Sequence, residues 1–197
     1  MTHSSLRVIR DEHAALSAML RSLSMMVREG EPAPQERDHH FAVLRAMLFY
    51  IDEFPEKLHH AKESRCLFPP VSRARPDLVA VIERLDQEHA KGEASVRELM
   101  HLLIAWECMG ESRRSDFEQA VQRYVRFYLA HMQLEETQIL PAAYEALSEQ
   151  DWQAMDEGFA QHLDPFVSPR SADGPYRALF DRITQHAPAP IGLRAKT

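Results

Sequence analysis

The sequence predicts an all-α protein, an antiparallel up-down four-helix bundle followed by a short C-terminal helical extension. Four segments carry apolar residues that are spaced alternately by three and four positions, and breaks containing Pro or Gly separate several of them. This spacing places the apolar side chains on one face of a helix. No strand-like alternation competes with it, so a helical bundle is the simplest architecture.

The first two predicted helices contain the first half of the chain's unusual polar residues. Apolar positions from Leu6 to Val27 define the first helix, and the segment 30–34 ends it. In the second helix, Pro55 predicts a kink, because proline lacks an N–H and clashes with the preceding turn. For the same reason we expect Pro69-Pro70 to end this helix.

The third and fourth helices have the most regular patterns. The third opens after Pro76, and a capping box of Ser115 and Glu118 predicts the start of the fourth. The inward positions of the third helix are Leu78, Ile82, Leu85, His89, Gly92, Val96, Leu99, Leu103 and Trp106. Those of the fourth are Phe117, Val121, Tyr124, Tyr128, His131, Glu135, Gln138 and Ala142.

Residues 148–197 form a separate extension in this prediction, and residues 1–147 form the bundle. Ser148 and Asp151 predict the cap of a fifth, shorter helix, and apolar residues between Tyr176 and Ile183 indicate one last short helix. The Pro-rich segment 187–190 predicts a loose tail.

Composition excludes several classes of function. The chain has 197 residues and a net charge of −7, without the basic block that binds a phosphate backbone, so nucleic acid is not an expected partner. No apolar run is long enough to span a membrane and the first residues do not resemble a signal peptide, so we expect a cytoplasmic protein. The two cysteines are expected to stay reduced. Eleven histidines are the one compositional oddity.

Histidine and glutamate recur at a fixed spacing. In the segments 59–69 and 131–141 a His is followed four residues later by Glu, and that Glu is followed six residues later by Pro. Four residues make about one helical turn, so each His and Glu share one helix face. Glu12-His13 precedes the first segment and Glu88-His89 precedes the second. A duplicated helical hairpin accounts for this order.

These polar residues replace apolar ones on the inward faces. One such histidine would be explained by a hydrogen bond in the core, but a layer of imidazoles and buried carboxylates needs a compensating cation. Imidazole with carboxylate suits Fe, Mn or Zn, and six ligands fit two metal ions better than one structural zinc. Ferritin-like bundles use Glu-x-x-His, with the carboxylate first, so they are disfavoured. The candidate metal ligands are His13, His59, Glu63, His89, His131 and Glu135.

The four motifs in this order resemble the hemerythrin-like HHE cation-binding family over roughly residues 5–145. The resemblance implies a non-haem di-iron four-helix bundle with two iron ions joined by an oxo or hydroxo bridge, for which Mn or Zn could substitute. It implies that Glu63 and Glu135 are bridging carboxylates. It implies that the terminal imidazole ligands are His13, His59, His89 and His131.

Two positions depart from the oxygen-carrying members of that family. Those members have a second His four residues after the third-helix His, where this chain has Glu93. Their last carboxylate is an Asp five residues after its His, whereas Glu135 follows His131 by four. The departures argue against reversible oxygen carriage. The pattern is closer to the bacterial and regulatory members, which are linked to iron sensing, to oxygen or nitric oxide response and to stress repair.

Several assignments stay open at this point. His60 could replace His59 as a ligand, although the second copy has Met132 there, which favours His59. Glu93 could be a ligand or a solvated residue. Glu12 and Glu136 are expected beside the site, and Tyr124 and Tyr128 in the core or at its wall. The histidines without a partner at ligand spacing are His3, His39, His40, His101, His162 and His186.

The sequence thus predicts a non-haem di-iron protein that binds or senses O₂, NO or peroxide, or iron itself. One alternative is a di-iron enzyme that reduces peroxide or processes nitric oxide with the help of a redox partner. Another is a bundle with a structural metal that serves as an interaction module through residues 148–197. The sequence leaves the oligomeric state open.

Overall fold

The computed structural model describes residues 3–30, 32–160, 164–168 and 176–194. Within these ranges the chain is helical and contains no strand; its one β-bridge is isolated and joins Pro188 to Arg194. An all-α fold is therefore confirmed. The α-helices of the described residues are α1 (Ser4–Glu29), α2 (Arg37–Ile51), α3 (His60–Lys62), α4 (Phe68–Ala74), α5 (Val79–Met109), α6 (Arg114–Leu134), α7 (Leu140–Ala146), α8 (Glu149–Phe159) and α9 (Arg177–His186).

Short π-helical segments join several of these helices into longer rods. The first π segment (Asp52–His59) and the second (Glu63–Leu67) lie between α2, α3 and α4, and the third (Glu135–Ile139) joins α6 to α7. Four rods result: α1, residues 37–74, α5, and residues 114–146. Helix α1 contacts α2 and α6, and α5 contacts the same two helices.

The prediction that Pro69-Pro70 ends the second helix is wrong. Pro69 does not end its helix, and neither does Pro141 at the matching position of the fourth rod, because each lies in the first turn of a further α-helix, α4 or α7. Each follows a π segment directly. A π turn is wider than an α turn, so it relieves the clash and accommodates the missing N–H that would otherwise stop the helix. Pro55 lies inside the first π segment, so the expected distortion takes that form.

The predicted inward face of α5 is confirmed. Its buried residues are those of the predicted pattern from Ile82 to Trp106, and the helix ends at Gly110, whose φ is 82°. In α6 the pattern holds as far as Glu135, but the buried residue that follows is Ile139, and Gln138 is exposed. The extra residue in the third π segment shifts the helical phase by about 100°.

The predicted capping box at Ser115 is also wrong. Helix α6 begins one residue earlier, at Arg114, and no side chain caps its first turn. A 3₁₀ turn, Glu111–Arg113, leads directly into the helix. Because this turn already arranges the backbone, Ser115 lies inside the helix, where its hydroxyl accepts a hydrogen bond from Gln119 Nε2.

The apolar core is divided into two clusters. One contains residues along the length of α2 and α6 and in the second halves of α1 and α5, with Leu20, Phe41 and Trp106 among its members. The other includes Ile9 at the start of α1 and Leu140 near the end of the fourth rod. Along each rod, the predicted His and Glu residues lie between members of the two clusters. A polar layer therefore crosses the core.

The extension packs against both clusters. Helix α8 begins at a capping box formed by Ser148 and Asp151, as predicted. Its buried side chains, Trp152, Met155 and Phe159, belong to the same cluster as Ile9. Helix α9 contributes Ile183 to the other cluster.

The segment after α9 is not a loose tail. Ala187 is fully buried, and the Ser22 hydroxyl of α1 donates to the Pro188 carbonyl at 2.8 Å while accepting from Ile191 N at 3.1 Å. The prediction was based on the prolines alone. The segment is ordered because the buried Ser22 hydroxyl forms hydrogen bonds with its backbone groups. Whether the chain divides into domains at residue 147 stays a prediction.

None of the helices in the described ranges is both long and apolar enough to cross a membrane.

Candidate metal centre

The six predicted ligands lie together in the polar layer between the two apolar clusters. They come from all four rods, because His13 is on α1, His59 and Glu63 are on the second rod, His89 is on α5, and His131 and Glu135 are on the fourth rod. All six side chains are buried, and the two glutamates are completely inaccessible to solvent.

Glu63 faces histidines of three rods. Its Oε1 atom is 3.2 Å from Nε2 of His59 and 3.8 Å from Nε2 of His13. Its other oxygen, Oε2, is 3.5 Å from Nε2 of His89. The two oxygens of this carboxylate therefore point to different histidines.

Glu135 faces the same region from the fourth rod. Its Oε2 atom is 3.3 Å from Nε2 of His13. Its Oε1 atom is 3.3 Å from Nε2 of His131 and 3.8 Å from Nε2 of His89. Each carboxylate thus presents one oxygen to the side of His13 and the other to the side of His89.

His60 lies in this cluster as well. Donor atoms from His60, Glu63, His89 and His131 are all within 4.8 Å of one another, and so are donor atoms from His13, His59 and Glu63. The sequence posed His59 and His60 as alternatives, but the structure places one in each group. Consecutive residues can do this because the first π segment ends between them.

Glutamates on neighbouring rods contact the outer ring nitrogen, Nδ1, of two histidines. Nδ1 of His59 is 2.6 Å from Glu12 Oε2, and Nδ1 of His13 is 2.9 Å from Glu136 Oε1. Glu12 precedes His13 in sequence and Glu136 follows Glu135, so both lie beside the centre, where the sequence placed them. A carboxylate at Nδ1 favours a proton there and leaves Nε2 as the metal-binding atom.

The other two histidines have similar partners. Nδ1 of His131 is 3.0 Å from Glu88 Oε2, and Nδ1 of His89 is 3.2 Å from the hydroxyl of Ser64. Glu88 is adjacent to His89, so the residue next to one histidine again holds a histidine on another rod. The four outer contacts turn four Nε2 atoms toward the two central carboxylates.

Charge at the centre is balanced by the histidines. Burial by itself lowers the pKa of His13, but the nearby carboxylates of Glu135, Glu136 and Glu63 outweigh it and raise that pKa well above its usual value. In His59 the same competition, between burial and the charges of Glu63 and Glu12, raises the pKa to about 9. The buried carboxylates therefore favour the protonated form of both imidazoles.

The donor set fits a metal ion. Among the described residues, His13 Nε2, His59 Nε2 and both oxygens of Glu63 and Glu135 are buried without a hydrogen-bond partner. Leaving such atoms unsatisfied is costly, and a cation in contact with them removes the cost. Donors about 2.0–2.2 Å from one ion lie about 3–4 Å from each other, which matches the distances between these atoms.

The family follows from a comparison with family models. The model described as the hemerythrin HHE cation binding domain matches residues 4–143. The chain belongs to this family. A comparison with curated proteins finds no match.

The match to the hemerythrin HHE domain contains the whole polar layer. It includes the six predicted ligands and His60, and it ends before α8. The family and its cation-binding character are thus shown, and the resemblance seen in the sequence is confirmed. The extension adds to the domain's core from outside the matched range.

The structure shows the positions of several side chains whose roles the sequence left undecided. Glu93 is exposed and pairs with Arg97 at 2.8 Å, so it lies on a solvated face. Tyr124 and Tyr128 are buried, and their hydroxyls donate to Glu56. Sequence reasoning missed Glu56, although it lies four residues before His60 and therefore on the same helix face.

The remaining histidines lie elsewhere. His3 stacks on Trp152, His39 and His186 contact each other edge to face, and His101 is exposed. His40 is buried against Trp106. His162 lies outside the described residues.

Proposed function

We propose that this hemerythrin HHE domain binds two metal ions side by side, within an antiparallel arrangement of its four rods. His13 and His59 bind one ion, and the two carboxylates span both. The ligands of the second ion are His60, His89 and His131. The observation that carries this proposal is that Glu63 and Glu135 each direct one oxygen to each group of histidines.

Iron is the metal that this donor set favours in the proposal. Imidazole and carboxylate groups suit Fe, Mn and Zn, and the groups of donors found among the described residues contain no thiolate. Mn or Zn could occupy the same positions. The four outer contacts to Nδ1 support metal binding, because they fix each ring and leave its Nε2 atom for the ion.

The proposed function is to bind or sense O₂, NO or peroxide, or iron itself. Bound ferrous iron supplies one-electron chemistry toward these small molecules. The chain's own residues hold the donors in place and keep water away, since all seven ligand side chains are buried. Two apolar clusters enclose the layer from both sides.

Elemental analysis tests the dinuclear proposal. Protein reconstituted with ferrous iron without air should contain two iron ions per chain. His13→Ala and His89→Ala each remove a histidine from a different group and should each reduce the iron content. One ion or none in the unmutated protein, found consistently, would reject two-metal binding.

A second experiment addresses the small-molecule ligand. We expect the reduced, iron-loaded protein to take up O₂ and not to release it under vacuum. The reason is that Glu93 and Glu135 differ from the residues that the oxygen carriers have at the corresponding positions. Gas-uptake measurements with O₂ and NO, together with the consumption of added hydrogen peroxide in solution, would rank the candidates. Full release of O₂ under vacuum after hours would favour an oxygen carrier.

A further inference from the structure

Glu56 is a third buried carboxylate at the centre, and two phenols hold it. It lies in the first π segment and is 2% exposed. The hydroxyls of Tyr124 and Tyr128 donate to the same atom, Oε1, at 2.6 and 2.5 Å. One oxygen of Glu56 is therefore fully engaged, and the orientation of its second oxygen is fixed.

The second oxygen faces His60. Oε2 of Glu56 is 3.2 Å from Nδ1 of His60, and neither atom has a hydrogen-bond partner among the residues that the structure describes. The ring of His60 stacks on His89 at 4.1 Å, and Tyr128 is parallel to it at 5.6 Å. These contacts restrict rotation of the imidazole, so its Nδ1 edge stays turned toward Glu56.

Gly92 on α5 leaves room for the side chains of Glu56 and Tyr128. A Cβ atom at residue 92 would overlap the Tyr128 hydroxyl and lie 2.8 Å from Glu56 Oε2. In the structure that space is filled by Glu56 and Tyr128, so the glycine serves these two residues.

We propose that Glu56 is the positioning residue of His60. Its carboxylate, fixed by the two phenols, accepts a hydrogen bond from Nδ1–H of His60, which keeps the proton on Nδ1 and leaves Nε2 as the atom that binds the second metal ion. The inference rests on the proposed function. Glu56 thus serves His60 as Glu12, Glu136 and Glu88 serve His59, His13 and His131, by contacting the Nδ1 atom of the imidazole.

Glu56→Gln is the variant that tests this role. The amide keeps the size of the side chain, and its oxygen still accepts from the tyrosines. Its NH₂ group then faces Nδ1 of His60, which must become an acceptor and leave the proton on Nε2. We expect iron affinity at one of the two positions to fall about 10–100-fold, as for other outer partners of metal ligands. The absorption spectrum of the iron-loaded protein should change as well.

Glu93→Gln is the matched control, because Glu93 is an exposed glutamate on the same domain. It should bind iron with unchanged affinity and an unchanged spectrum. His60→Ala should weaken the same position as Glu56→Gln, and the double variant should be no weaker than His60→Ala alone, since Glu56 acts through His60.

Two outcomes would overturn the inference. One is a Glu56→Gln protein whose iron affinities and spectrum match those of the unmutated protein. The other is additive loss in the double variant, which would show that Glu56 acts independently of His60. Failure of the unmutated protein to bind two ions would instead reject the proposed function. Circular dichroism and thermal unfolding of each variant check that it folds.

Discussion

At the scale of single residues, the centre consists of groups that are stable only together. Glu63 and Glu135 are fully buried, and histidines from all four rods face them. The nearby imidazoles of His13, His131 and His89 outweigh burial and lower the pKa of Glu135 well below its usual value. Removing one partner leaves the others buried and uncompensated, which costs more than removing the whole group.

Glu135→Ala should lose metal and stability together. The side chain contacts His13, His89 and His131, so its loss removes the link between the histidines of three rods. Breaking a buried ionic contact costs about 3–5 kcal/mol in free energy of unfolding. Denaturant unfolding and elemental analysis measure the two effects.

His186→Ala is the control for that variant, because His186 contacts His39 away from the centre. It should keep its metal content. His162 also has no partner at ligand spacing in the sequence, but it lies outside the described residues. A Glu135→Ala protein that retained two ions would contradict the assignment of this carboxylate.

Asp164 predicts a pH dependence. It is buried, and it accepts hydrogen bonds from the Tyr50 hydroxyl at 2.7 Å and from Phe166 N at 2.8 Å. Burial raises its pKa from 3.8 to about 6. The folded state therefore holds a proton that the unfolded state releases between about pH 4 and pH 6, and this contribution to stability is lost as the pH rises through that window.

Asp164→Asn should remove this dependence. The amide stays neutral, but its single oxygen can accept from only one of the two donors, so the variant loses one hydrogen bond at both pH values. Between pH 4 and pH 8 the metal-free unmutated protein should lose about 3 kcal/mol of stability relative to the variant, given about 1.4 kcal/mol per pKa unit. Denaturant unfolding at both pH values measures the difference.

Asp156→Asn is a contrasting control, because hydrogen bonds from Ser5 outweigh burial and lower the pKa of Asp156. That variant should be less stable than the unmutated protein at pH 8. A stability difference between the Asp164→Asn and unmutated proteins that is the same at pH 4 and pH 8 would contradict the raised pKa.

At the scale of secondary-structure elements, each π segment begins or ends at a residue of the candidate metal centre. The first ends at His59, the second begins at Glu63 and the third begins at Glu135. A π turn adds a residue and shifts the phase of the helix after it, so the apolar pattern resumes on a different set of positions. These turns allow polar ligands and apolar neighbours to share one inward face.

Gly92→Ala tests how closely α5 approaches Glu56 and Tyr128. Alanine is favoured over glycine inside a helix by about 1 kcal/mol. The new Cβ would overlap the Tyr128 hydroxyl, and overpacking of this kind costs about 1–3 kcal/mol. We expect a net loss of stability in denaturant unfolding.

Tyr128→Phe provides the matching background for Gly92→Ala, because it removes the hydroxyl that the Cβ meets. The alanine should cost less there than in the unmutated protein. If Gly92→Ala stabilised the protein, as helix propensity alone predicts, the space at Gly92 would not be needed.

At the scale of the whole molecule, the polar layer joins all four rods between two apolar clusters. Metal that binds only the folded state stabilises that state. We therefore expect a chelator to lower the melting temperature of the iron-loaded protein. Thermal unfolding with and without chelator is the measurement. Glu135→Ala, which should hold less metal, should respond less, and an unchanged melting temperature of the unmutated protein would show that metal does not hold the rods together.

The sequence by itself determined the helices and the spacing of the ligands. Contacts within one helix depend on positions four residues apart, so His59 with Glu63 and His131 with Glu135 could be predicted from local geometry. The inward face of α5 was predictable for the same reason, since its period has no interruption.

The tertiary structure decided which groups meet across rods. The pairing of Glu12 with His59 and the phenols around Glu56 depend on the relative depth of neighbouring helices. The π turns change that depth and the direction of the side chains after them, and α-helical spacing alone does not show them. His60 reached the second group directly after the first π segment, and Gln138 faced solvent inside the third.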